Sequence, residues 1–253
     1  MNSFLVGLVV FAFAFGAALA GIFIHAKLPP HHKEADSKDV VKLVMGLIAT
    51  IAALVLSLLI ATAHSAYETQ ESEVQSLGVH IVQLDQILSH YGPEAESARG
   101  LLRQIVVAQL GQIWPKDGTA GVNLRAPVDQ GAREKLIEQV ANLPTKTDAQ
   151  RFARSRALDL LSGIGETRRL LYEQAGGSLS WPFFMVLVFW LIVLFLGFGY
   201  LTRHNATVLV ALFVGALSVG GAIFLILEMN RPYSGIMQVS SAPIRSALDA
   251  ISQ

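Results

Sequence analysis

The sequence predicts an all-α integral membrane protein with four transmembrane helices: two, then a helical extramembrane domain, then two. Three observations carry this. Four apolar runs are each long enough to cross the hydrocarbon core of a bilayer. Charged residues make up only 15% of the 253 residues, against about 25% in soluble domains, and they are nearly absent from those runs. The intervening stretch spaces its apolar residues by three and four, as helices with one buried face do. The expected divisions are 1–66 (two spans and their polar connection), 67–178 (helical domain), 179–229 (two spans) and 230–253 (a turn and an amphipathic tail).

Net charge is zero, so no global field points to nucleic acid, and none is expected as a partner. The absence of cysteine excludes disulfides, thiol catalysis and cysteine-ligated metals. The lipid bilayer is the one partner that composition itself requires.

Phe4 to Ile24 forms the first span; at about 1.5 Å per residue such a run covers about 30 Å. Ala17-Ala18-Leu19-Ala20-Gly21 resembles a signal-peptidase site, but no Lys or Arg precedes the run, so it is read as an uncleaved span. His25 to Lys42 is read as a solvated loop. His31 and His32 are adjacent and lack the spacing that puts two histidines on one helical face, so no metal and no cofactor is assigned.

Leu43 to Ala63 is the second span. Gly46, Thr50, Ala53 and Ser57 lie on one side, with His64 just beyond. Thr50, Ser57 and His64 are seven apart and share a stripe. The stripe serves either close helix packing or the lining of a water-filled path. If it lines a path, His64 makes that path sensitive to pH, because imidazole changes charge near neutrality.

The helix is expected to continue out of the membrane through Val74, Leu77, Ile81, Leu84, Leu88 and Tyr91, an a/d-type seam. Glu68, Glu71 and Glu73 make an acidic collar that reads as a solvated face or as charge selection at a vestibule. Gly92-Pro93 ends this helix, and Pro93 suits the first turn of the next, which runs to about Gln112 with Glu96 placed to pair with Arg99. Trp114-Pro115 and the turn-forming Lys116 to Gly121 follow. Asp129 to Asn142 is a third helix. Thr147-Asp148 caps a fourth, Ala149 to Gln174, weakened in its middle by Gly163 and Gly165. Arg151, Arg154, Arg156, Arg168 and Arg169 are read as part of a mixed solvated surface.

Gly176-Gly177-Ser178 is a linker. Trp181-Pro182 opens the third span, to about Leu201, whose aromatic composition suggests a lipid-facing helix. Arg203-His204-Asn205 is a tight loop. The fourth span, Ala206 to Leu227, has a small-residue side at Gly215, Ser218, Gly220 and Gly221. At its end Glu228 and Arg231 are spaced to pair, Pro232 stops the helix, and Tyr233-Ser234-Gly235 turns the chain. Ile244, Leu248 and Ile251 then share one face of a short tail, placed on the membrane surface or on the helical domain. Lys27, Lys33, Lys38, Lys42 and Arg203 on one side nearly balance Arg168, Arg169, Arg231 and Arg245 on the other, so basic residues set no orientation.

Three stretches carry a family resemblance: Gly46-Leu47-Ile48-Ala49-Thr50 through Leu58-Leu59-Ile60-Ala61, Leu84 through Ala95 with Arg99, and Arg231-Pro232-Tyr233-Ser234-Gly235. With the order of spans, they resemble the bestrophin-like membrane proteins of bacteria. True bestrophins are pentameric anion or cation channels whose second transmembrane helix lines the pore. In those channels an acidic residue and a Pro-Phe-Gly turn follow the last span. Glu228, Pro232 and Tyr233 match that pattern loosely. No acidic cluster follows the turn here, so calcium binding does not carry over, and the second span has no counterpart of the bulky aromatic neck. The resemblance implies a homo-oligomer, small inorganic ions as partners, and a bacterial inner-membrane location with the termini and helical domain cytoplasmic. Two functions follow as expectations. One is an oligomeric ion channel with the Thr50, Ser57, His64 stripe along its path. The other is a non-conducting scaffold or sensor whose helical domain binds a partner through the Val74 to Tyr91 seam. No catalytic residues are assigned: the chain has no H-E-x-x-H, no G-x-S-x-G and no phosphate loop. The Glu228 to Gly235 junction is read as an architectural corner.

Overall fold

The computed structural model describes residues 2–27, 35–114, 130–174, 181–202, 205–233 and 235–252. Among them every regular element is helical: α1 (Ser3–Lys27), α2 (Ala35–Tyr91), a 3-10 turn (Pro93–Ala95), α3 (Glu96–Ile113), α4 (Gln130–Ala141), α5 (Asp148–Gln174), α6 (Trp181–Leu201), α7 (Ala206–Met229) and α8 (Ala242–Ile251). α1, α6, α7 and the first part of α2 are long and apolar enough to cross a membrane. The expectations for His31-His32, Lys116 to Gly121, Gly176-Gly177-Ser178 and Arg203-His204 fall outside the described residues. The expected loop to Lys42 is corrected, because α2 begins at Ala35. The polar stretch before the span is a first helical extension, carrying an exposed Lys42 Nζ to Asp39 Oδ1 contact of 2.9 Å.

The chain forms two compact units: Met1–Ser65 with Ser178–Asn230, and Ala66–Gly177 with Arg231–Gln253. In the first unit, α1 packs along both α6 and α7. Lipid tails are as apolar as the side chains, so helices associate there through close packing rather than through the hydrophobic effect. Glycines supply the closeness. A Cβ added at Gly21 would fall onto the Leu196 carbonyl, and one at Gly199 onto the Ala18 carbonyl. Towards α7, a Cβ at Gly7 would lie 2.9 Å from the Gly220 carbonyl oxygen, and one at Gly220 2.9 Å from Phe11 Cβ. A ring cluster lies beside them, with Phe213 edge-on to Phe11 at 5.4 Å and to Phe15 at 5.5 Å.

The expectation of a lipid-facing third span is corrected. α6 is the most covered span, with 39% of its apolar stretch buried within the chain against 17% for the second span. Phe184, Leu187, Leu191, Leu194 and Phe195 are buried, while Phe183, Met185 and Phe189 stay exposed. A helix that is apolar on every side does not tell from its composition which side meets protein. The neighbours decide it: Val10 of α1 with Met45, Ala52 and Leu59 of α2 in one cluster, and Ala14 and Ala18 of α1 beside Phe195 in another.

The second unit is built by water. The seam Val74, Leu77, Ile81, Leu84, Leu88 and Tyr91 is at most 5% exposed, and it forms the core with Leu102, Val106, Leu136, Val140 and Ala157. The seam is therefore internal, which corrects its reading as a docking surface. Gly92 has φ 117°, a conformation that suits glycine. The 3-10 turn then starts at Pro93, with Ala95 N–H donating to the Gly92 carbonyl at 3.1 Å. Arg99 crosses to α2 and grips Asp85 with two bonds of 2.9 Å, Nε to Oδ1 and Nη2 to Oδ2, and adds Glu96 at 3.3 Å. Asp85 is 6% exposed. Removing one partner of such a pair strands a charge, at a cost of about 3–5 kcal/mol. The hydrogen bond to Asp85, first among its causes, raises the Arg99 guanidinium above its ordinary value.

The cap expected at Thr147 forms, and Arg154, read as part of a solvated surface, closes a second helix end. Thr147 Oγ1 accepts from Gln150 N–H at 3.1 Å and caps α5. Arg154 donates to the Ala141 and Leu143 carbonyls at 3.3 and 3.2 Å, closing the end of α4. Tyr91 Oη donates to the Pro144 carbonyl at 2.7 Å. Burial raises the Tyr91 phenol above its ordinary value; Arg154 opposes this and Glu94 reinforces it. α8 packs in this unit with Ile244, Ala247 and Ile251 buried, and a Cβ at Gly78 would come within 2.9 Å of the Pro243 carbonyl oxygen.

The glycine contacts in the membrane unit yield a direct test. Gly199→Ala pushes a methyl group into the α1 backbone and destabilises the protein by about 1–3 kcal/mol. Gly221→Ala, at a position where a Cβ meets nothing within 4 Å, is neutral or slightly stabilising. Thermal unfolding in detergent micelles checks the pair; equal melting temperatures would refute the packing argument.

Candidate functional site

The surface of the second span divides into three sectors. Met45, Ala52, Leu59 and Ala63 are buried against the rest of the first unit. Leu43, Leu47, Leu54 and Leu58 are more than 60% exposed and share a second sector. Gly46, Thr50, Ala53, Ser57 and His64 are also exposed, on a third sector. With about 3.6 residues per turn, the bulky and the small sectors sit side by side on the outward half of the helix. The exposed half of this span is thus itself two-sided: large and apolar on one flank, small and hydroxylated on the other.

The small sector is not explained by packing inside the chain. A Cβ at Gly46 would meet nothing within 4 Å, unlike the glycines that join α1 to α6 and α7. Thr50 Oγ1 donates to the Gly46 carbonyl at 2.9 Å, satisfying its proton within the helix while its oxygen remains on the surface. The structure therefore places Thr50, Ser57 and His64 together on one exposed stripe. Beyond it the acidic collar is graded, with Glu68 exposed and Glu71 and Glu73 half-buried. Among the described residues no group of three His, Asp or Glu side chains is positioned to hold a metal ion.

The junction residues fall into both units. Glu228 lies in the last turn of α7, in the first unit, and is 3% exposed. Arg231, exposed, begins the return into the second unit, where Pro232 and Tyr233 are buried. Val239 N–H donates to the Pro232 carbonyl at 2.7 Å and closes a loop over residues 232–239. Gly235 at its turn has φ 111°, and Gln238 Nε2 donates to the Gly235 carbonyl at 3.0 Å. Trp114 holds the loop from one side: its Nε1–H donates to the Val239 carbonyl at 2.9 Å and its ring meets Tyr233 edge-on at 6.0 Å. Tyr67 Oη donates to the Gln238 carbonyl at 3.4 Å; burial and then the nearby Glu71 raise its phenol above the ordinary value. Sequence reasoning missed Trp114 and Tyr67 as partners of this loop. The available signal was two aromatic residues with polar tips at the edges of apolar stretches.

A family model of the bestrophin-like domain matches residues 12–244, nearly the whole length. The chain belongs to the bestrophin-like family. Its fold agrees: a crystal structure of a bacterial bestrophin homologue from Klebsiella pneumoniae, a variant with one substitution, superposes with a TM-score of 0.63. The match covers 97% of this chain and 99% of that one at 11% identity. At that identity the likeness is one of fold. No curated protein sequence matches the chain. The bestrophin-like architecture of two spans, helical domain and two spans identifies an integral membrane protein in contact with lipid.

The junction loop carries its own test. Gly235→Ala forces a side chain into a positive φ, costing about 1–2 kcal/mol at the loop. Limited proteolysis should then cut between Tyr233 and Ser240 several times faster than in the native protein. An unchanged cleavage rate would show that the loop does not depend on this conformation.

Proposed function

We propose that the chain is one subunit of a homo-oligomeric ion channel in the bacterial inner membrane, with α2 innermost and Thr50, Ser57 and His64 along the path of small inorganic ions. The observation that carries this reading is the two-sided exposed half of α2. Bulky leucines suit lipid or a neighbouring helix. A flank of Gly46, Thr50, Ala53 and Ser57 is poorly suited to lipid and suits a narrow wet path, where hydroxyl oxygens replace part of an ion's hydration shell. The second span is also the least covered of the four within one chain, as a helix that meets other copies should be. Family membership supports the reading, since true bestrophins conduct through the same helix. The helical unit, cytoplasmic in this reading, forms a vestibule, and the reading assigns no enzymatic role.

One observation favours the alternative of a non-conducting scaffold. A groove of about 470 Å³ between α2 and α5 is lined by Gln83, Gln86, His90, Phe152 and Arg156, with Phe152 75% exposed. Such a groove, rather than the buried seam, would receive a partner.

Purified protein in planar bilayers separates the two. Native protein should conduct, and Thr50→Leu and Ser57→Leu should each lower unitary conductance at least about tenfold by narrowing and drying the path. Bilayers with verified insertion and no current, or variants conducting like the native protein, would refute the channel reading. Sidedness is checked separately. The chain has no cysteine, so Phe152→Cys reports a single site. A membrane-impermeant maleimide should label it in inverted vesicles and not in spheroplasts; the opposite pattern would place the helical unit outside.

A further inference from the structure

Ile236 is the most exposed large apolar side chain among the described residues, at 81%, and Met237 beside it is 36% exposed. We propose that the tip of the 232–239 loop, Gly235-Ile236-Met237, is a lipid-contacting anchor that enters the headgroup region of the bilayer. The inference rests on the four spans and is independent of the conduction reading.

The level of the loop is set by the chain itself. α7 ends at Met229, and only Asn230 and Arg231 separate it from Pro232. Two residues carry an extended chain about 7 Å at most. Near the other end of the loop, the Gln238 carbonyl accepts from Tyr67 Oη at 3.4 Å. Tyr67 follows Ala63, the last residue of the apolar run, by four positions on the unbroken α2. That is a rise of about 6 Å. Both ties keep the loop near the membrane edge. An interfacial apolar group buries itself about 5–10 Å into the boundary between headgroups and acyl chains, so the tip has lipid within its reach. Tyrosine also favours this level, because its ring is apolar and its hydroxyl polar.

The bonding of the loop is an independent observation. The Pro232 carbonyl accepts from Val239 N–H, the Gly235 carbonyl from Gln238 Nε2, and the Val239 carbonyl from Trp114 Nε1–H. With the Gln238 carbonyl, much of the loop's backbone is satisfied from inside the protein. Backbone close to hydrocarbon needs such partners, since water is scarce there. A loop built for water has no need to turn its carbonyls inward and an isoleucine outward. The positive φ of Gly235 makes the turn that carries Ile236 to the tip. Arg231 is exposed at the base, where its stem can lie along apolar surface and its guanidinium among lipid phosphates. Lipid is favoured over a second copy of the chain as the cover, because the tip continues an apolar surface. Leu217 and Leu225 are exposed along α7, towards the same edge.

The chain has no cysteine, so a single nitroxide label reports one position in the full-length protein. Ile236→Cys, Leu217→Cys and Lys146→Cys are each labelled and reconstituted in phosphatidylcholine–phosphatidylglycerol liposomes. Collisions with oxygen, which concentrates in the bilayer, are compared with collisions with a neutral nickel chelate, which stays in water. Leu217 marks the middle of a span. Lys146 marks water: its side chain is 76% exposed, close to Pro144, whose carbonyl is held by Tyr91 at the far end of α2. The oxygen-to-nickel ratio at Ile236→Cys should exceed that at Lys146→Cys at least about fivefold and stay below that at Leu217→Cys, as for a group in the interface. Met237→Cys repeats the measurement and decides it if Ile236→Cys does not fold. A ratio equal to that at Lys146→Cys would place the tip in water and overturn the proposal. Low collision rates with both reagents would show that protein, such as a second copy, covers the tip, and would overturn it equally.

Discussion

Backbone-to-backbone contact at glycine is the constraint on which the membrane unit depends. Between helices in lipid there is no apolar surface to hide from water, so association rests on how near two backbones come. α1 meets that demand on two sides, with Gly21 and Gly199 against α6 and Gly7 and Gly220 against α7. A compact group of three helices results. α2 joins it through a narrow strip, Met45 against Gly197 with Ala52 and Leu59 beside it, and most of its circumference is left outward. The functional candidate is a consequence of this economy: α2 presents its hydroxylated flank because α1, α6 and α7 do not need it.

Outside the membrane unit the rules reverse. The second unit assembles around the Val74 to Tyr91 seam because water drives those side chains together. Specific polar pairs then pin its helices and loops: Asp85 with Arg99, Tyr91 with the Pro144 carbonyl, Trp114 with the Val239 carbonyl. The junction loop belongs to this second regime. Val239 closes it on Pro232 and Trp114 grips it, so its bonds lie within the helical unit.

Much of this was legible in the chain. Apolar runs announced four spans, the spacing of three and four announced the seam, Gly92-Pro93 marked the reversal, and Thr147 marked a helix start. Each is a local signal, carried by residues within one or two turns of each other. The misreadings share a cause as well. α6 looked lipid-facing because a uniformly apolar helix has no side that its composition distinguishes. The seam looked available for docking because periodicity shows that a face is buried without naming its cover. The grip of Trp114 on Val239 joins residues 125 positions apart, and no local pattern encodes it.

The sequence by itself therefore determined the class of molecule, the order of its helices and the position of its hydroxylated stripe, since hydropathy and periodicity act over short stretches of chain. The tertiary structure alone decided which glycines are contacts and which are open space. Gly21 and Gly199 lie under backbone atoms of a facing helix, whereas Gly46 and Gly163 meet nothing within 4 Å and Gly165 meets only a distant guanidinium nitrogen. The same residue type carries opposite meanings at these sites, because the meaning of an absent side chain is set by what stands opposite it.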